Sequence, residues 1–142
     1  MRRAVITGMG IVSCLGNDKA TVTNSLRNGI SGIQRREDFA EMGLRCNVGG
    51  LIDLDPKDHI DRKVLRFMGD SAAYGYIAAD RAIADAGLSE EMVSNHRTGL
   101  IMGSGGLSAE QFVYDLDVMR ARSIRRAGSY RVTQLMASTV SA

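Results

Sequence analysis

The sequence predicts an α/β fold, in which short buried strands alternate with helices. Two apolar segments, 4–6 and 98–103, have the composition of strands covered on both faces, and each leads into a glycine-rich turn. Signals for helices follow, with predicted helices at 20–28 and 109–121. This order and spacing are typical of α/β proteins.

The first glycine turn contains Gly8, Gly10 and Gly16, which allow conformations or close approaches that a side chain would block. Asp18 is a favourable N-cap for the helix that follows, and Gly29 is favourable as its stop. We therefore expect the first strand, turn and helix to form one local unit.

Short elements are predicted in the next part of the chain. Residues 39–44 are expected to form a helical turn that ends at Gly43. Residues 45–48 are a predicted strand, which Gly49 and Gly50 close. The segment 51–59 contains the only proline of the chain and is predicted to be a loop.

A long helix is predicted from Asp61, its N-cap, to residue 86. Gly87 followed by Leu88 is typical of a Schellman closure at its end. Glycine, alanine and serine are abundant between 69 and 84. We therefore expect other elements to approach this helix closely on more than one side.

Ser108 is a predicted cap for the helix 109–121, and a second helical run is predicted over 131–142. Neither glycine, proline nor a basic last turn terminates that second run. The sequence analysis therefore predicts that the 142 residues are a fragment of a longer chain.

Composition excludes several classes of function. The chain has 44% hydrophobic and 24% charged residues and a net charge of +2, so neither general attraction to nucleic acid nor membrane insertion is predicted. Cys14 and Cys46 provide neither a disulfide framework nor metal-ligand spacing. Without a predicted secretory signal, a reducing cytoplasm is the expected location.

Generic motifs provide no catalytic or metal site and no cofactor. Gly8-Met-Gly10 follows a predicted strand, but Ser13 stands where a dinucleotide fingerprint requires a third glycine. The cluster 103–106 lacks the Gly-Lys-Ser/Thr of a phosphate-binding loop. Cys14 and Cys46 are both interpreted as packed small hydrophobes. The remaining candidates are interpreted as solvated residues: His59, His96, Glu90, Glu91, Asp115 and Asp117.

Five stretches of the chain together resemble the β-ketoacyl-[acyl carrier protein] synthases, the condensing enzymes of fatty acid synthesis, and most of all their branch I. The stretches are 3–13, 60–68, 82–89, 99–106 and 136–142. The resemblance extends over essentially all 142 residues, so the chain is expected to be the N-terminal portion of such an enzyme, truncated before the catalytic cysteine.

The resemblance implies a thiolase-like fold with αβαβα layers and a homodimeric parent enzyme. In that family a cysteine thiolate accepts an acyl group, and malonyl-acyl carrier protein then loses carbon dioxide and attacks the thioester. The nucleophile, two histidines and a lysine lie beyond the position of Ala142. The resemblance therefore implies an acyltransferase whose first 142 residues alone are inactive.

The resemblance also assigns roles to residues of this chain. Basic residues match two patches that contact the acidic acyl carrier protein in the family: Arg62, Lys63 and Arg66 in the first, Arg122 and Arg125 in the second. Gly106 and Met136 match positions that line the acyl pocket. Leu107 and Thr139 stand where the family often has glycine, so this pocket departs from the usual pattern.

Two alternatives remain open on the sequence alone. One is a non-catalytic subunit that keeps the fold, lacks the nucleophile and sets chain length in a partner. The other is a thiolase-fold enzyme that uses coenzyme A, which the two basic patches disfavour because they suit a protein partner.

Overall fold

The structure is a computed structural model that describes residues 3–123, 128 and 130–142. Helices predominate in it. The helices and strands, in chain order, are α1 (Lys19–Arg27), β1 (Ile33–Arg35), α2 (Glu37–Glu41), β2 (Val48–Gly50), α3 (Arg62–Leu65), α4 (Asp70–Ala86), α5 (Glu90–Val93), α6 (Ala109–Ala121) and α7 (Arg131–Leu135). Short 3-10 helices occupy Pro56–Asp58 and Ala137–Ser141.

The two predicted buried strands, 4–6 and 98–103, do not form strands in the described chain. Their apolar side chains are open to solvent, with Val5, Ile6 and Ile101 exposed by 77%, 85% and 99%. A strand requires a neighbouring strand to pair its backbone groups, and the sheet of the described residues contains only β1 and β2. The composition of these segments indicates burial that the described residues do not provide.

The sheet that does form is a small antiparallel pair. β1 pairs with β2 in the register Ile33–Gly50, Gln34–Gly49 and Arg35–Val48. The predicted strand 45–48 is therefore displaced, and its supposed closing glycines belong to the strand itself. The displacement has a packing cause, because Gly50 lies against the thiol of Cys14 and a Cβ there would approach the Sγ atom to 2.9 Å.

The predicted caps of α1 and of the end of α4 are confirmed. The carboxylate of Asp18 accepts hydrogen bonds from the Thr21 N–H at 2.8 Å and the Thr21 hydroxyl at 2.6 Å, and these bonds lower the pKa of Asp18. Gly29 follows α1 with a φ of +62°. At the end of α4, Gly87 has a φ of +65°, and the Leu88 N–H donates to the Ile83 carbonyl, as in a Schellman motif.

The prediction of one continuous helix over 61–86 is wrong, because this segment forms two helices, α3 and α4. Asp61 caps α3 by accepting from the Lys63 N–H at 2.7 Å. Gly69 then adopts an extended conformation before α4 begins. The carbonyl of Gln134 lies so close to Gly69 that a side chain at this position would collide with it. A tertiary contact therefore divides the helix.

The second part of the chain follows the sequence more closely. The bounds of α6 agree with the predicted helix 109–121, although the side chain of Ser108 makes no capping hydrogen bond. The run 131–142 divides at Met136, whose extended backbone separates α7 from the final 3-10 helix. That 3-10 helix packs against α4.

A small core forms around α4. Ile60, Ala73 and Ile77 are buried there, with Val12 and Leu65 packed at the edge. None of the helices in the described ranges combines the length and the apolar character needed to cross a bilayer.

The turn after residue 7 lies directly on α4, which confirms that small residues of this helix are approached closely. A Cβ atom on Gly10 would lie 2.7 Å from the backbone nitrogen of Ala82, and closer still to the Ala78 carbonyl oxygen. Gly8 is similarly close to Ala86. Backbone therefore packs against backbone, which only glycine permits.

Two charged side chains of α4 fix the same turn. Arg81 donates to the carbonyl oxygens of Ile11 and Asn17. The Asp85 carboxylate accepts from the Lys19 ammonium at 2.5 Å and from the Met9 N–H at 3.0 Å. The bonds from Lys19 and Met9 lower the pKa of Asp85.

Gly10→Ala is expected to lower the free energy of unfolding by about 2–3 kcal/mol, because the added methyl group overlaps the backbone of α4. Gly99→Ala is the matched control, since a Cβ there meets nothing within 4 Å. It should change stability by less than about 0.5 kcal/mol. Urea denaturation of both variants measures the difference, and equal effects would contradict the close packing.

Asp85 is expected to make the fold less stable in acid. Its pKa is lower in the folded than in the unfolded state, so its stabilising effect is full above the unfolded carboxyl pKa and is lost as the pH falls through the folded value. Asp85→Asn should therefore weaken the decline of stability between about pH 5 and pH 2. Asp80→Asn, at an exposed position of the same helix, is the control. Its denaturation curves should show the same decline of stability with falling pH as those of the parent protein.

Candidate functional site

The first basic patch consists of Arg62, Lys63 and Arg66, and all three residues are exposed. The Arg66 N–H donates to the Arg62 carbonyl at 3.3 Å, so these two arginines lie one helical turn apart, as their spacing predicts. None of the three forms an ion pair with any described residue. The patch therefore presents positive charge that nearby carboxylates do not neutralise.

A cavity of about 600 Å³ lies beside this patch. Ile60, Leu65 and Met68 contribute apolar walls, and Arg62 and Arg66 lie among its lining residues. Asp55, Lys57 and Asp70 line the cavity as well, so it combines charges of both signs with apolar walls.

Arg66 is held by two aromatic rings. Its guanidinium lies 4.7 Å from the ring centre of Phe67 and 5.1 Å from that of Tyr130. The two rings meet edge to face, with centres 5.0 Å apart and an interplanar angle of 85°. Backbone contact adds to this, because the Gln134 side chain donates to the Arg66 carbonyl at 2.9 Å.

The second basic patch is only partly within the described residues. Arg122 is exposed and follows the last residue of α6, where its N–H donates to the Val118 carbonyl. Arg125 lies outside the described residues. The structure therefore places one member of this patch at the end of α6 and does not test the other.

An ion pair joins α6 to α7. Arg131 donates to the Asp115 carboxylate at 2.6 Å, and Gln111 donates to the same oxygen at 2.9 Å. The Arg131 guanidinium also lies 4.4 Å from the ring centre of Tyr114. Tyr114 and Asp115 raise the pKa of Arg131. The expectation that Asp115 lies on a solvated face is wrong, since only 6% of it is exposed.

The predicted acyl-pocket residues are not enclosed by the described chain. A Cβ on Gly106 would meet nothing within 4 Å, and Met136 is half-exposed. The lining role of these two positions stays a prediction.

Cys14 is packed against backbone, in agreement with its interpretation as a small hydrophobe. A Cβ on Gly32 would lie 2.8 Å from its Sγ atom. The same interpretation is wrong for Cys46, which is exposed, with its thiol 3.9 Å from the Val48 carbonyl oxygen. Among the described residues no three histidine, cysteine or acidic side chains are grouped closely enough to hold a metal ion.

The residues that surround Arg66 and Arg131 were not predicted: Phe67, Tyr114, Tyr130 and Gln134. Phe67 directly follows Arg66, whereas the contacts of the other three join segments far apart in the chain, so no local pattern marks those three. One local signal was available: Gln111 and Asp115 are four residues apart, which places both on one face of a helix.

Comparisons with known proteins agree with this architecture. The family model described as "Beta-ketoacyl synthase, N-terminal domain" matches residues 1–142. The 3-oxoacyl-[acyl-carrier-protein] synthase 1 of Haemophilus influenzae is 52% identical over the whole chain, and that of Escherichia coli K12 is 49% identical. The chain spans 35% and 36% of the lengths of these two curated relatives.

A solved structure is also similar. The β-ketoacyl synthase of Burkholderia phymatum STM815 matches with a TM-score of 0.83 and 28% identity, over 99% of this chain and 35% of the other. The predicted thiolase-like α/β class is therefore confirmed. The chain belongs to the β-ketoacyl synthase family, and its 142 residues match the N-terminal domain of that family.

Proposed function

We propose that these 142 residues are the N-terminal portion of a 3-oxoacyl-[acyl-carrier-protein] synthase of fatty acid biosynthesis. The observation that supports this most directly is the 52% identity, over the entire chain, to a curated synthase of that name. The chain spans only 35% of that relative, which supports a longer parent protein. The exposed apolar segments around Ile6 and Ile101 support it too, because they need further chain to cover them.

The proposed reaction is a decarboxylating Claisen condensation. A cysteine thiolate forms a thioester with the acyl group, and malonyl-acyl carrier protein loses carbon dioxide to give an enolate. The enolate carbon attacks the thioester carbonyl, and the thiolate leaves. We place the nucleophile and its histidines after residue 142, so the described residues contribute scaffold and docking surface.

The proposed macromolecular partner is an acyl carrier protein with an acidic surface. Arg62, Lys63 and Arg66 would form the first contact region, and Arg122 and Arg125 the second. Two observations support this role: the described members are exposed, and no ion pair among the described residues involves the first patch. Complementary charge at such a rim mainly accelerates encounter and fixes the docked orientation.

Three finer proposals accompany this function. Gly106 and Met136 would line the acyl pocket once further chain covers them, since a small residue and a flexible thioether suit an alkyl chain. The parent enzyme would be a homodimer, as the family resemblance implies. A cytoplasmic location is supported by the free thiols of Cys14 and Cys46, which suit a reducing compartment.

The 142-residue chain alone should accept no acyl group from acyl carrier protein. Cys14 is packed against Gly32 and Gly50, and we place the catalytic cysteine after residue 142. Intact-mass spectrometry after incubation with acyl-carrier protein measures this, with the full-length enzyme as the positive control. An acyl adduct on either cysteine of the short chain would contradict the proposed placement of the nucleophile.

In the full-length enzyme, Arg62→Glu combined with Lys63→Glu should raise KM for carrier-bound substrates by about tenfold, because each exposed charge contributes at most about 1 kcal/mol. The parent should also show a steep dependence of KM on ionic strength, which the variant loses. Turnover of a small acyl-pantetheine thioester should stay unchanged, because it has no protein surface to dock.

The control for that variant is Arg27→Glu combined with Arg97→Glu, which changes the net charge equally at exposed positions outside both patches. If the control variant raised KM for carrier-bound substrates as much as the patch variant, docking would depend on net charge and not on the first patch. If the patch variant impaired both kinds of substrate equally, the patch would serve the fold or the pocket instead.

A further inference from the structure

Tyr130 and Arg131 are neighbours in sequence, and their side chains contact two different helices. Tyr130 contacts Arg66 and Phe67 at the end of α3, whereas Arg131 contacts Asp115 on α6. α3 contains Arg62 and Lys63 of the first basic patch, and α6 ends next to Arg122, the described member of the second. The start of α7 therefore connects the supports of the first patch and of Arg122 within two consecutive residues.

The connection to α3 involves aromatic and backbone contacts. The guanidinium of Arg66 lies near both rings, and the rings themselves are packed edge to face. One turn further along α7, Gln134 donates to the Arg66 carbonyl, and its own carbonyl lies against Gly69. Side chain and backbone of Arg66 are thus both fixed by α7.

The connection to α6 is a partly buried ion pair. Asp115 is 6% exposed and accepts hydrogen bonds from both Arg131 and Gln111. Tyr114 on the same helix lies beneath the Arg131 guanidinium. Both hydrogen bonds end on one oxygen of this nearly buried carboxylate, and together with the Tyr114 contact they restrict the position of α7 against α6.

We propose that Tyr130 and Arg131 are positioning residues, which hold the first basic patch and Arg122 at a fixed separation so that an acidic carrier protein binds both at once. The inference rests on the carrier docking proposed above. Two patches held together act as one bivalent surface, and their contributions combine only if the spacing matches the partner.

The aromatic contacts leave Arg66 able to bind. A guanidinium stacks through its planar faces, and its N–H donors point outward in the plane. Because the Phe67 and Tyr130 rings are nearly perpendicular, the guanidinium of Arg66 can stack on only one of them, and N–H donors in its plane can still reach a carboxylate of the partner. In the free protein the rings limit the rotamers of a long side chain, which reduces the entropy lost on docking.

Tyr130→Leu in the full-length enzyme tests the proposal. The loss of an exposed cation–π contact should raise KM for malonyl-acyl carrier protein by about two- to fivefold, with kcat retained. Turnover of an acyl-pantetheine thioester should not change. Tyr130→Phe keeps the ring and should restore the parent KM. Thermal melting of each variant shows whether the fold is intact.

Tyr76→Leu is the matched control, because Tyr76 is similarly exposed and takes part in none of the ring contacts of the described residues. Equal KM values for Tyr130→Leu and Tyr76→Leu would overturn the positioning role. So would a Tyr130→Leu variant that loses pantetheine turnover to the same extent as carrier turnover.

The reversal of Arg62 and Lys63 separates this inference from the proposed function. If that reversal raises KM for the carrier and Tyr130→Leu does not, docking stands and the positioning role is wrong. If neither change affects the carrier, the docking proposal itself fails.

Discussion

The close approach of backbone to α4 is the constraint on which the rest of the described structure depends. Gly8 and Gly10 bring the N-terminal turn onto one part of the helix, and Gly75 brings Val140 and Met102 near another. Dispersion energy increases with the number of atoms in contact, so small residues allow tight packing without large side chains. Both the N-terminal turn and residues near the end of the chain therefore pack against this helix.

Hydrogen bonds from polar side chains add to this packing. The turn on α4 has backbone N–H and C=O groups that no sheet satisfies. Arg81 donates to two of its carbonyl oxygens, and Asp85 accepts from the Met9 N–H. These two side chains supply hydrogen bonds that a neighbouring strand would otherwise provide, and leaving such groups unpaired would be costly.

The sequence predicts well those structural features that depend on residues close together in the chain. Asp18, Gly87 and the bounds of α6 follow from capping and periodicity within a few residues. The strands at 4–6 and 98–103 depend on distant partners, so their composition alone did not produce them. The division of the helix at Gly69 and the burial of Asp115 likewise depend on residues of α7.

In the candidate site, too, the sequence indicates which residues are involved, whereas their arrangement depends on contacts between distant segments. The resemblance identifies the basic residues, and the structure adds the contacts that hold Arg66 and Arg131 in place. Because an exposed charge contributes at most about 1 kcal/mol, no single arginine can define a docking surface. Specific docking needs several charges in a fixed arrangement, and here buried and stacked groups provide that rigidity. For the proposed docking, the residues that set the arrangement therefore matter as much as the charges themselves.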